Sequence, residues 1–469
     1  MNPMKKTTRR RALKNASKAF AFTFIPSYLA TGVRAQGDPE PPSKRINLAC
    51  VGVGGRAGGV IPSLCNKGNA VPVALCDIDF NHRRQGKVLQ QFPEVERFAD
   101  YRVMLEKMGK DIDAVSVVTP DHSHFGASIL AMSMGKHVYV EKPLTHSFDE
   151  AQKLIEAEQK FQVVTQMGNQ GHTGLGPYQF QEWMKRGVIK DVREIHAWKG
   201  PGLFFMNASE RFNKWPAAEE VPKNLNWDLW CGPAPKRPYT SKLHPFNWRG
   251  FYDYGCGMLG DWGAHIIDYV HDYLELGLPT KIEAVKIEDP NDIIFPLSTQ
   301  LTFTFPERSP ELPEVKLHWR DGGTFHPEIE RTFWDGEEAP NLGGAGTFFV
   351  PDGGKADYAV LRGSHSNPSR IMPHGKTRDM IDKLKVGKPD VPGHQESFIQ
   401  ACMGNGKTWS PFSVAGPLTQ VLNLGCIAQY LNESLAFDPQ SKTFKNNAKA
   451  TALLKTNPRA GWEDLYKII

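Results

Sequence analysis

From residue 46 onward, short apolar runs alternate with stretches of helical spacing. "INLACVG" (46–52) is followed by a helix-like segment from 56 to about 66, and "VPVALCD" (71–77) by another over 81–91. "DIDAVSVVTP" (111–120) is the third clear run; after it "HFGASILAMSMG" (124–135) sets Phe125, Ile129, Leu130 and Met134 at helical intervals. "KHVYVEKP" (136–143) is the last. Short apolar runs alternating with helices predict a parallel sheet covered by crossover helices.

Past about residue 165 the pattern changes. Loops lengthen and fill with Trp, Pro and Gly, as in "NWDLWCGPAPKRPY", while "KIEAVKIE" and "QLTFTF" alternate with period two. That alternation suits antiparallel strands. The Gly- and Pro-rich region 322–374 reads as loops and hairpins over that sheet, and "QESFIQACMGNG" and "PLTQVLNLGCIAQYLN" read as helices. The chain therefore divides into 45–165, an α/β dinucleotide-type domain, and 166–469, an α+β domain.

Composition changes this picture little: 40% hydrophobic and 23% charged residues in 469 are ordinary for a globular protein. Charge changes it more. The net +5 is concentrated in Lys5, Lys6, Arg9, Arg10, Arg11, Lys14 and Lys18, with no acid among them. The remainder is near neutral, which gives a nucleic-acid partner no electrostatic support. "TRRRALK" (8–14) resembles the twin-arginine export pattern, although Ala12 stands where phenylalanine is common. A moderately apolar stretch over 19–33 and "VRA", ending at Ala35, complete a signal-like segment, 1–35; the Pro-rich linker 36–44 follows. The localisation expected is periplasmic or otherwise exported by the twin-arginine route, with no membrane span left after signal removal. Seven cysteines, an odd number, do not suggest a disulfide framework. Export of an already folded, cofactor-loaded protein agrees with both features.

"GVGGRAGG" starts at Gly52, between a strand and a helix. Gly52, Gly54 and Ala57 fit G-x-G-x-x-A, in which the glycines allow a tight turn and a close pyrophosphate. Gly55 and Arg56 belong to the same turn. Asp77 ends the second strand 23 residues after Gly54, placed to accept from ribose hydroxyls and repel a 2′-phosphate. NAD is the expected cofactor; Arg83 and Arg84 leave NADP open.

"VYVEKPL" (138–144) places Lys142 where a buried strand ends, an odd place for an ammonium unless something there needs its charge. Ligands of open parallel sheets bind beyond such strand ends. There Lys142 would hydrogen-bond a substrate hydroxyl and stabilise the alkoxide left as hydride departs. Glu141 would hold the lysine, and Pro143 would fix the chain's exit. Far downstream, Asp261 and His265 share a four-residue spacing, on the side of a helix opposite the apolar Ile266, Ile267, Val270 and Leu274. A carboxylate orienting an imidazole makes a proton acceptor poised near neutral pH. Gly260 and Gly263 would keep its approach clear. A metal reading of Asp261, His265, Asp268 and His271 fails because their helical directions diverge. His122 and His124 lack partners at zinc spacing, so no metal is expected.

Together "GVGGRAG", "CDID", "VVTPDHSHFGASILAMSMGKHVYVEKP" and "GMLGDWGAHIIDYVHD" resemble the Gfo/Idh/MocA family of sugar and polyol oxidoreductases. "GNQGH" (168–172) and "RAGWEDL" (459–465) are similar to its exported branch. The resemblance implies a Rossmann domain followed by a domain with an open, mainly antiparallel sheet, assembled as a homo-oligomer, dimer or tetramer. It makes Lys142 the catalytic lysine, His265 its partner and Asp261 the accompanying acid. Thr119, Pro120, His124, Glu141, Lys142 and Asn169 become further cofactor contacts, and His172 joins Lys142, Asp261 and His265 at the substrate. Trp227, Trp230, Tyr252 and Tyr254 are candidates to stack on a sugar. The activity implied is hydride transfer between nicotinamide and a carbohydrate, with the cofactor held and recycled. The alternatives are an NAD-dependent glycosidase working by transient oxidation, or a non-catalytic dinucleotide- and sugar-binding sensor.

Overall fold

The computed structural model describes residues 45–469 except 82, 83, 85, 202–210, 324, 366, 388 and 389. The signal-like segment, the linker and Arg83 lie outside the described residues.

Six parallel strands form the first sheet: β1 (Ile46–Val51), β2 (Ala70–Cys76), β3 (Glu96–Phe98), β4 (Ala114–Val117), β5 (His137–Val140) and β6 (Thr165–Met167). Their order is β3-β2-β1-β4-β5-β6, the doubly wound arrangement whose switch point lies between β1 and β4. The continuous apolar runs arise because helices cover both faces: β1 is buried at five of its six positions and β4 at all four. Gly52, just after β1, has φ +81°, and a Cβ there would stand 2.4 Å from the Val118 carbonyl oxygen. A glycine is required where the first loop crosses the end of β4. Among the described residues of the segment expected as helix over 81–91, the helix is Gly86–Gln91.

The second sheet has nine strands, introduced by β7 (Glu194–Lys199), β8 (Lys281–Glu288), β9 (Ser298–Phe305) and β10 (Val315–Asp321). The region 322–374, expected as loops and hairpins, in fact adds β11 (Ala345–Phe349), β12 (Ala359–Gly363) and β13 (Ser369–Met372). β14 (Leu435–Asp438) and β15 (Thr443–Phe444) complete the order β13-β12-β11-β7-β10-β9-β8-β14-β15. Only β7 and β10 pair in parallel; the other neighbours are antiparallel. One face buries Leu301, Phe303, Leu317 and Trp319 beneath helices that include Phe412–Leu431. The other face is polar over β8–β10, and an apolar cluster with Phe333 and Leu342 covers Trp198 and Phe348.

The expected boundary at 165 is too early, because β6 pairs with β5 and carries the first sheet to Met167. Nor are the two parts separable bodies. Phe412–Leu431 packs on Phe148–Phe161, and one apolar core runs from Leu154 through Leu259 to Leu418. The ends of the first sheet are thereby fixed against the face of the second. All seven cysteines are free, and no helix among the described residues is long and apolar enough to cross a membrane.

Candidate active site

A cleft of about 450 Å³ opens at the carboxyl ends of the first sheet. Gly52, Gly54, Gly55 and Arg56 form one wall, with Asp77 at the end of β2; Thr119 and Pro120 follow β4, and Glu141 and Lys142 follow β5. Trp230, Phe246 and Trp248, from the long loops after β7, face them. Asp77 is fixed by two backbone N–H groups: Val53 donates to Oδ2 at 2.9 Å and Asp79 to Oδ1 at 3.1 Å. Glycines where a pyrophosphate approaches, an acid at the ribose position and an ammonium at the far end fit a nicotinamide dinucleotide. Asp77→Asn removes the charge and keeps one of the two acceptor oxygens, the other becoming an amide donor. It is expected to lower the preference for NAD over NADP by about tenfold in paired binding titrations. An unchanged ratio would place cofactor selection elsewhere.

Lys142 carries the clearest geometry. Its Nζ donates to Asp261 Oδ1 at 2.7 Å and to the Asp261 carbonyl oxygen at 2.8 Å. Two of three ammonium protons are thus directed, and one remains for a substrate oxygen. Arg249 Nε lies 3.4 Å from the same Oδ1. Burial alone would lift Asp261, but Lys142 and then Arg249 outweigh it and hold the carboxyl below its usual range.

This arrangement corrects the expected Asp261–His265 pair. The chain makes a wide π-type turn over Leu259–Gly263, and Asp261 Oδ1 is engaged by Lys142 and Arg249, not by His265. Gly260 and Gly263 are packing positions rather than an open approach: a Cβ would meet Cys256 Cβ at 2.1 Å in one case and Leu422 at 2.7 Å in the other. His265 instead stacks on His365, with centroids 4.5 Å apart and planes at 24°, while Trp262 meets it edge-on. Its Nδ1 is buried and has no hydrogen-bond partner. Burial, then Lys142, His365 and Arg56, hold the imidazole well below its ordinary range. It is a neutral base beside a fixed ammonium. Glu141 also differs from expectation, because its Oε1 accepts from Arg56 at 3.4 Å and Gln170 at 3.1 Å, not from Lys142.

Three further expectations are corrected. His124 is fully buried, its ring nitrogens 2.8 Å from the carbonyl oxygens of Pro143 and Thr119, so it braces the strand ends instead of lining the cleft. Asn169 is fully buried and donates to Asp268 Oδ1 at 2.8 Å. His172 Nδ1 lies 3.0 Å from Asp268 Oδ2 and its Nε2 3.7 Å from Asp272, and the residue is not among those lining the cleft. Burial pulls His172 down, but Asp268 and Asp272 more than reverse it. Asp268 and Asp272 therefore serve His172 and not the face of Asp261. The aromatic quartet is core. Trp227 and Trp230 stack on each other at 4.5 Å, Tyr254 packs on Trp230, and Tyr252 lies against Phe295. Of the four, Trp230 reaches the cleft wall.

Sequence reasoning missed three residues. Asp121, in "TPDHSH", is buried in the cleft wall and accepts the Cys256 N–H at 3.1 Å. Burial pushes its carboxyl up to about 7, against the pull of Arg249 and Lys142. Its place just past β4 was a usable signal. Arg249 and His365 stand on loops that carry no local pattern. Elsewhere, Glu194, His196 and His318 converge on the polar face of the second sheet. Arg320 donates to His196 Nδ1 at 3.1 Å, which leaves the proton on Nε2, facing Glu194. The cluster is hydrogen-bonded and offers no imidazole lone pair to an ion at His196.

Comparison with known proteins agrees with this architecture. Residues 46–169 match the family model described as "Oxidoreductase family, NAD-binding Rossmann fold", and 204–298 that described as "Oxidoreductase family, C-terminal alpha/beta domain". A glycosyl hydrolase family 109 protein of Shewanella pealeana is 24% identical over 175 residues, 36% of this chain and 38% of the relative. Inositol 2-dehydrogenase of Salmonella typhimurium is 28% identical over 153 residues, 32% of this chain and 45% of the relative. The chain thus spans less than half the length of these relatives. The WlbA dehydrogenase of Chromobacterium violaceum, solved with NADH and UDP-GlcNAcA, has a similar fold. Its TM-score is 0.56 at 15% identity, over 86% of this chain and 98% of that one.

Proposed function

The chain belongs to the Gfo/Idh/MocA family of oxidoreductases, and on that premise we propose that it is an NAD-dependent oxidoreductase acting on a sugar, sugar derivative or polyol. The observation that carries the proposal is Lys142, held by Asp261 at 2.7 Å at the end of a dinucleotide-shaped cleft, beside a neutral His265.

Nicotinamide, when bound, supplies the hydride acceptor or donor. Lys142 directs its remaining proton to the substrate oxygen and stabilises negative charge that develops there. His265 takes the hydroxyl proton on a ring nitrogen and returns it in the reverse direction. Asp261, itself held by Arg249, fixes the ammonium, and Gly52, Gly54 and Asp77 orient the dinucleotide.

A second reading is favoured by the glycosyl hydrolase names among the relatives. With the twin-arginine-like segment read as an export signal, free nicotinamide is scarce where the protein works. A retained cofactor then supports transient oxidation that loosens a glycosidic bond. One experiment separates the readings: identify the cofactor retained through gel filtration by mass spectrometry, then test a panel of free sugars and glycosides. Steady NADH release with a free sugar establishes the dehydrogenase. Glycoside cleavage with no net NADH establishes the glycosidase, and turnover of nothing on the panel rejects both in favour of a binding protein.

A further inference from the structure

Beyond the catalytic pair, the second sheet delivers one more cation to the same place. Lys199, the last residue of β7, holds its Nζ 4.8 Å over the ring of Trp262 and donates to the Gly200 carbonyl oxygen at 3.1 Å. Trp262 in turn meets both His265 and His365 edge-on, at 6.1 and 5.9 Å. Lys199 therefore stands across one aromatic ring from the proposed base.

Among the described residues its ammonium makes no ion pair, although Asp261 and Asp321 act on it from farther off. No carboxylate among the described residues lies within ion-pair distance of Lys199. Asp261 is taken by Lys142 and Arg249. Asp321, its register partner on β10, is buried and accepts Trp319 Nε1–H at 2.6 Å. Burial pushes that carboxyl up to about 7, which weakens it further as a counter-charge. The other cations of this face have partners, Arg56 with Glu141 and Lys142 with Asp261. A half-buried ammonium without a carboxylate partner costs free energy that an incoming anion offsets.

We propose that Lys199 and Trp262 form a subsite for the carboxylate of an acidic sugar, so that the substrates are hexuronic acids or their derivatives. The ring lies against Trp262, its reacting hydroxyl at Lys142 and His265 and its carboxylate at Lys199. One ammonium suits a monoanion; a phosphate would draw on several donors or a guanidinium fork. The location rests on the active-site reading above, but the substrate class holds for dehydrogenase and glycosidase alike.

The test reads binding, independently of turnover. NAD-loaded protein is titrated by tryptophan fluorescence with glucuronate, galacturonate and mannuronate, with the parent hexoses, and with their 6-phosphates. At least one uronate is expected to bind about tenfold tighter than its parent, the worth of one charge-assisted hydrogen bond. That ratio collapses toward one in Lys199→Met and returns in Lys199→Arg, with melting curves showing both variants folded. Uronates that bind no tighter than their parents, or a ratio that survives Lys199→Met, overturn the subsite. Tighter binding of the 6-phosphates overturns the carboxylate assignment. A uronate preference with no chemistry on any sugar removes the redox reading alone.

Discussion

Lys142→Met is expected to lower kcat by about 10²–10³ while leaving the dinucleotide bound, the cost of deleting one donor aimed at developing charge. The lysine sits at one end of the cleft, so the contacts of Gly52, Gly54, Gly55 and Asp77 with a dinucleotide are untouched. Deleting it does not strand Asp261, because Arg249 Nε remains 3.4 Å from the same oxygen. The variant should therefore fold, and a melting curve checks this. Cofactor affinity within a fewfold of the parent, together with the fall in kcat, is the signature of a group that acts in the transition state. Turnover within tenfold of the parent would remove Lys142 from the chemistry. A matching loss of cofactor affinity would make it a binding residue instead.

The part of the molecule legible in the sequence is the part whose causes are local. The runs of β1, β2, β4 and β5 are apolar because both faces of a parallel sheet are covered, and a single chain displays that directly. Gly52 is legible for the same reason: a tight crossing at one residue admits no side chain. β3 was not, since Glu96–Phe98 is a three-residue edge with two exposed positions and no period to read. β7 was hidden differently. Its second face carries His196 in a polar cluster but Trp198 under the Phe333 loop, which blurs the polar and apolar alternation. β11–β13 lie among glycines and prolines that mark turns, and those turns concealed the strands between them.

The site divides along the same line. Lys142 could be placed because a cation at a strand end is anomalous in its own neighbourhood. Its true partner could not, because a spacing of four implies a shared helical face only if the helix is regular. Asp261 instead meets Lys142, 119 residues earlier in the chain, and nothing in the local spacing encodes so distant a partner. Asp121 and Arg249 line the cleft and His365 stacks on His265, from three segments far apart in the chain, a convergence produced by packing the two sheets together. His365 needs Gly171 as well, where a Cβ would stand 2.9 Å from its own. The glycine in "GNQGH" thus serves a neighbour nearly two hundred residues away.

The pH dependence follows from the same convergence and gives the second large effect. His265 acts as a base only when neutral, so oxidation is lost as pH falls through its pKa. Burial disfavours the imidazolium, and the positive charge of Lys142 disfavours it further, with His365 and Arg56 adding to both. In the parent protein the acid limb of kcat/KM for oxidation should thus lie below the ordinary imidazole value of about 6.5. His265→Gln keeps the size and polarity of the side chain but cannot accept the proton. It is expected to lose about 10²–10³ in rate and the acid limb together. Lys142→Met supplies the sign. Removing the nearby positive charge makes the imidazolium less costly, the His265 pKa rises, and the acid limb of the residual activity moves to higher pH. An acid limb that stays in place in Lys142→Met, or one that persists in His265→Gln, would show that the proton is taken by another group, and buried Asp121, already pushed up to about 7 in the same wall, would be the next to replace.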